Sequence, residues 1–214
     1  RAATRRWRLY PRWTLPTAVP PRFGPDLSHS SAGLLLGPAA IGGFRAMLQI
    51  ASVFNVLFQT LVVVLPVRYG DIYRRLGNRG LWAETKKLTA AYALLCGIAL
   101  VLAELFAADV VRLLLGSKYV EYTPILSWLI VMYFFFLVHV SLTGWLHALA
   151  ASSRFLVPNL AGAGAILLLV VPLTNAFGIV GLAVGMVVMY AVEVSGLALS
   201  VWLEIRRRQG EVAL

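Results

Sequence analysis

Charge is scarce in this chain. Only 13% of its 214 residues are Asp, Glu, Lys or Arg, about half the share of an ordinary soluble domain. With 60% hydrophobic residues and a mean hydropathy of +0.81, the composition excludes a typical water-soluble fold and indicates a membrane protein. Cysteine occurs once, at Cys96, which excludes an intramolecular disulfide. Lying in an apolar stretch, it reads as a small packing residue. The few histidines and acids form no nucleophile–base pair, no paired catalytic carboxylates and no metal cluster, so an enzyme is not expected. His139 and His147 sit about 80° apart around a helix and ~12 Å apart along it, too far to share a metal. Gly162-Ala-Gly164 lacks the rest of any phosphate or dinucleotide loop, and no cofactor is expected.

What charge there is has one dominant sign. The net charge is +10, but the basic residues gather at the ends of apolar runs. That is the signature of membrane topology rather than of nucleic-acid binding. The apolar runs predict an all-α membrane protein, a bundle of about five transmembrane helices near 44–67, 88–108, 125–150, 155–177 and 178–203. The bundle occupies 33–208. Between the first two helices, 68–87 reads as a basic loop with an interfacial amphipathic helix around Ile72, Tyr73 and Leu76. Pro66 is expected to kink or stop the first helix. Residues 109–124 read as a mixed loop, and Glu104 as a residue reaching the interface.

Residues 1–32 carry six arginines together with Trp7, Trp13 and a run of prolines from Pro11 to Pro25. No hydrophobic period is present, so an extended or disordered arm is expected. The loop at 68–87, Arg154 and Arg206–Arg208 put ten basic residues on one side, against Arg112 and Lys118 on the other. The positive-inside rule then makes the C-terminus, with the tail 209–214, cytoplasmic. The same rule is violated by the arginine-rich arm. Further helices before Gly33 are therefore expected, and the chain reads as a fragment.

The first helix carries the most informative pattern. Ala46–Val67 is uncharged, and its 22 residues give roughly 33 Å of helix, enough to cross the hydrocarbon core. Arg45 stands at its mouth. Arg45, Gln49, Ser52, Asn55 and Gln59 fall within an arc of roughly 120° on a regular helix. Unpaired amides facing lipid are costly, so this stripe should face water or protein. It either lines a polar cavity or glues neighbouring helices together. Two further polar groups lie deep in the apolar runs. Glu193 is either a hydrogen-bonded carboxyl or an ion or proton site, and His139 either a packed histidine or part of a proton relay. Gly181-x-x-x-Gly185 on the last helix suits close approach of another helix, as does Ala161–Ala165 on the fourth.

Several short motifs occur in order. They are Gly37-x-x-x-x-Gly42-Gly-Phe-Arg45, Asn55–Gln59, Val64-Leu-Pro66, Leu113-Leu-Leu-Gly116-Ser-Lys-Tyr119 and Phe177-Gly-Ile-Val-Gly-Leu-Ala183. This layout resembles the polysaccharide biosynthesis flippases of the multidrug/oligosaccharidyl-lipid/polysaccharide superfamily. The resemblance implies two helical halves around a central cavity, this chain being the second. It implies alternating access for a lipid-linked oligosaccharide, carried on undecaprenyl pyrophosphate in a bacterial inner membrane. Arg45 would then contact phosphate or glycan, while Gln49, Ser52, Asn55 and Gln59 line the path. Membrane lipids, the lipid-linked oligosaccharide and a missing N-terminal half or partner subunit are the implied partners, with no nucleic acid. Two alternatives stay open: a drug/cation antiporter of the same superfamily using Glu193, and a non-transporting membrane scaffold.

Overall fold

The computed structural model describes residues 37–212, without the side chains of 55–58, 152, 167 and 209–212. The basic arm expected at 1–32 lies outside the described residues. Every described element is helical: α1 (37–51), α2 (Val53–Leu115), α3 (Pro124–Ala148), α4 (Leu156–Ala165) and α5 (Val171–Val212). Short 3₁₀ turns at Ser117–Tyr122 and Ser152–Phe155 join α2 to α3 and α3 to α4. A π turn at Ile166–Val170 runs from α4 into α5.

Three stretches are long and apolar enough to cross a membrane: Gln59–Leu115, Pro124–Ala148 and Ser153–Arg208. The five separate helices expected from the apolar runs are thus joined into fewer, longer ones. Two single glycines account for this. Gly77 (φ 61°, ψ −156°) interrupts α2 and Gly178 (φ 59°, ψ −137°) interrupts α5. Positive φ is cheap only without a Cβ, so one glycine reverses the chain where a longer loop would otherwise be needed. Partners across each reversal lie within two residues of equal distance from it. Arg68 pairs with Glu84, and Thr85 donates to the Tyr69 hydroxyl at 3.1 Å. In α5, a Cβ on Gly181 would lie 1.9 Å from the Leu173 carbonyl oxygen.

The stretch 68–87 is therefore helical on both sides of Gly77, the tip of a hairpin rather than a loop, and the helix expected around Ile72, Tyr73 and Leu76 lies in its first arm. Helix also continues through Pro66, which neither stops nor ends it. Proline inside a helix removes one hydrogen bond and typically costs ~3 kcal/mol. Its neighbours Leu65 and Tyr69 are buried against Gly144 of α3, and this packing overrides the local preference. The second predicted helix (88–108) is extended at both ends, from Gly77 to Leu115. Most of the mixed loop expected after it is helix or 3₁₀ turn, and the predicted tail at 209 is still helical to Val212.

α3 packs along both α2 and α5. Two buried clusters result. One joins α1 to the middle of the bundle through Phe44, Met47, Leu129, Leu182 and Met186. The other lies toward the Gly77 end, around Leu65, Tyr69, Leu81, Trp145, Leu149 and Leu197. In that second cluster the Trp145 indole N–H donates to Thr85, whose hydroxyl donates on to Tyr69. This chain of hydrogen bonds satisfies three polar groups that have no access to water.

Candidate functional site

The predicted polar stripe lies on an outer face. On α1, Phe44, Met47 and Ala51 are 1%, 0% and 1% exposed, whereas Arg45 and Gln49, interleaved with them, are exposed. The alternation follows from the helical period, since residues three and four apart share a face. Gly43 seats α1 on the 3₁₀ turn, where a Cβ would come within 2.5 Å of the Tyr122 ring. The Tyr122 phenol, hydrogen-bonded by Glu121, is held above its ordinary pKa.

The stripe is not carried by one regular helix. Ser52 (φ −64°, ψ −13°) separates α1 from α2, its N–H reaching the Gln49 carbonyl at 3.3 Å. The Ser52 hydroxyl donates to the same carbonyl at 2.6 Å. This is a 3₁₀-like tightening, which adds about 20° of rotation per residue involved. Ser52 thus shapes the break by binding backbone. Gln59 lies beyond it on α2 and is also exposed. The side chain of Asn55 is outside the described residues.

Glu193 and His139, read separately in the sequence, meet. His139 Nδ1 on α3 lies 3.2 Å from Glu193 Oε2 on α5, with the two side chains 18% and 14% exposed. The approach is off the line of a hydrogen bond, and His139 Nδ1 has no other partner. Phe136 stacks on the imidazole at 6.2 Å and 8°, and Tyr190 meets it edge-on at 6.3 Å. On the far side, a Cβ on Gly162 would fall 2.2 Å from Glu193 Oε1. The small-residue run in α4 is therefore the notch that admits the carboxyl. Among the described residues, no third His, Cys, Asp or Glu joins them. A carboxylate this close to an imidazole attracts it whenever the ring is charged. His147 stands apart, exposed and 4.9 Å from the Phe155 ring.

A third cluster went unread in the sequence. Glu204, 2% exposed, pairs with Arg154 Nε and Arg208 Nε, both at 2.9 Å. Arg208 also donates to the Leu149 carbonyl and, at 3.4 Å, to the Tyr73 hydroxyl. One carboxylate thereby ties the Gly77 hairpin, the α3–α4 connection and the end of α5 together. The spacing Glu204–Arg208 is a visible i,i+4 signal; the contact with Arg154 has no local signature. Glu104, expected at the interface, accepts a hydrogen bond from Ser127 at 2.7 Å.

No family model, curated protein or solved structure matches the chain.

Proposed function

We propose that this chain is one lobe of a membrane carrier, with five spans, that moves a lipid-linked oligosaccharide by alternating access. The observation that carries the reading is the outward polar face of α1, with Arg45 and Gln49 opposite the buried Phe44, Met47 and Ala51. An arginine held against lipid is costly, though less so at the mouth of a span, where Arg45 stands, than at its centre. Unpaired amides add to that cost. Such a face is stable only against water or a second lobe, which is the geometry of a cavity wall. The reversals at Gly77 and Gly178 support the five-span count by dividing α2 and α5 into antiparallel arms.

In this reading Arg45 binds the diphosphate, as a guanidinium suits phosphate oxygens. Gln49 and Gln59 meet glycan hydroxyls, and the lipid tail stays in the bilayer. The basic end bearing Arg206–Arg208 lies in the cytoplasm of a bacterial inner membrane. Arg45→Ala lowers surface-polysaccharide export with unchanged protein in the membrane. Normal export in that variant ends the assignment.

The contact between His139 and Glu193 favours a second reading, a cation- or proton-coupled drug antiporter. There, Glu193→Gln abolishes ion-driven efflux while Arg45→Ala leaves it intact.

A further inference from the structure

The Gly77 end of the bundle concentrates cations, and the described acids there are already engaged. Asp71 pairs with Arg74, Glu84 with Arg68, and Glu204 with both Arg154 and Arg208. Among the described residues these ion pairs leave Arg75, Arg79, Lys86, Lys87 and Arg206 without an acid, and all five are exposed. The Glu204 network brings the two cation-bearing elements to one end, because Arg208 bonds Tyr73 near the hairpin tip.

Two tryptophans mark this end. Trp82 and Trp202 are 55% and 46% exposed, although each carries a large apolar ring. Each is covered by a cation four residues further along its helix. Lys86 Nζ lies 5.1 Å from the Trp82 ring centre, and the Arg206 guanidinium 4.0 Å from that of Trp202. The amphipathic indole prefers the headgroup level of a bilayer. A cation held beside it there sits among lipid phosphates, with its stem along apolar surface.

We propose that the Trp82–Lys86/Lys87 and Trp202–Arg206 pairs form a binding surface for anionic glycerophospholipid headgroups, which hold this end at the membrane surface. Indole fixes the depth, and the cation takes the phosphate. Cation–π contact with the rings keeps the Lys86 and Arg206 charges in place before the lipid arrives. The proposal rests on the chain spanning a membrane, not on what it transports, so it stands or falls apart from the export assay.

The test uses the purified protein in nanodiscs of phosphatidylcholine alone or mixed with phosphatidylglycerol. Retained lipid is counted by native mass spectrometry, and melting is followed in parallel. Wild type retains phosphatidylglycerol over phosphatidylcholine and melts higher in the mixed discs. Combining Lys86→Gln, Lys87→Gln and Arg206→Gln lowers retention by about five-fold per cation removed, with unchanged melting in pure phosphatidylcholine. Should the combined variant fail to fold, Lys86→Gln and Arg206→Gln singly each give a partial loss. Equal retention in wild type and variants overturns the proposal. So does displacement of the lipid by inorganic phosphate at equal concentration, which would assign the surface to a free anion.

Discussion

Gly162 and Glu193 touch so closely that a methyl group on the glycine would lie 2.2 Å from the carboxyl oxygen. Gly162→Ala must push Glu193 out of its notch and away from His139. An overpacked substitution of this kind costs about 1–3 kcal/mol. Gly181→Ala is expected to cost more, because its methyl would meet the Leu173 backbone oxygen at 1.9 Å, which has no rotamer to change. Gly97, with nothing within 4 Å, is the control. Gly97→Ala is expected to leave melting unchanged or raise it, since alanine is the better helix former by up to ~1 kcal/mol. Melting of the detergent-solubilised protein orders the three variants; a Gly181→Ala protein as stable as wild type contradicts the packing.

Thr85 is both acceptor and donor. It accepts from the Trp145 indole and donates to the Tyr69 hydroxyl at 3.1 Å. Thr85→Val keeps the shape and strands both partners, at a cost of about 1–3 kcal/mol. Thr85→Ser restores most of the loss. Tyr69→Phe is the milder change, because Thr85 still serves Trp145. Equal melting for Thr85→Val and Thr85→Ser would remove the hydrogen bonds from the account.

Glu204 is the carboxylate shared by Arg154 and Arg208. Glu204→Gln leaves two partly buried guanidinium groups without a counter-charge and is expected to destabilise by about 2–3 kcal/mol. Arg208→Lys retains charge but loses the fork that also reaches Leu149 and Tyr73, so it too melts lower. Protease access to the 149–154 connection rises in both variants. Unaltered cleavage there would mean the network does not hold the three segments together.

Cysteine labelling reads the direction of α1. Native Cys96 is 3% exposed and gives little background. Gln49→Cys is expected to react with a membrane-impermeant maleimide, and Met47→Cys, 0% exposed in the native side chain, is not. Protection at both positions would put the polar face in a dry contact and favour the scaffold.

The apolar runs made the helical class and the approximate spans legible, because length and hydropathy are local properties. The helix at Pro124–Ala148 lies where 125–150 was expected for that reason. Basic residues at 68–87 suggested a loop, since charge distinguishes water from lipid but not helix from turn. Nothing in the sequence distinguishes Gly77 from Gly80 or Gly70 as the reversal point; only Gly77 of the three has positive φ. The stripe on α1 was visible as a period, and its tightening at Ser52 was not. Glu193 and His139 were each notable alone. Their contact spans two helices, and pairing across helices leaves no trace in spacing.

The Gly77 reversal also governs how the first part of the bundle can move. A turn of one residue has no slack, and Arg68–Glu84 and Tyr69–Thr85 fasten its two arms just above it. The arms cannot slide past each other as neighbours joined by a long loop can. Any rigid-body motion here has to carry both together, as a single stiff lever against α3.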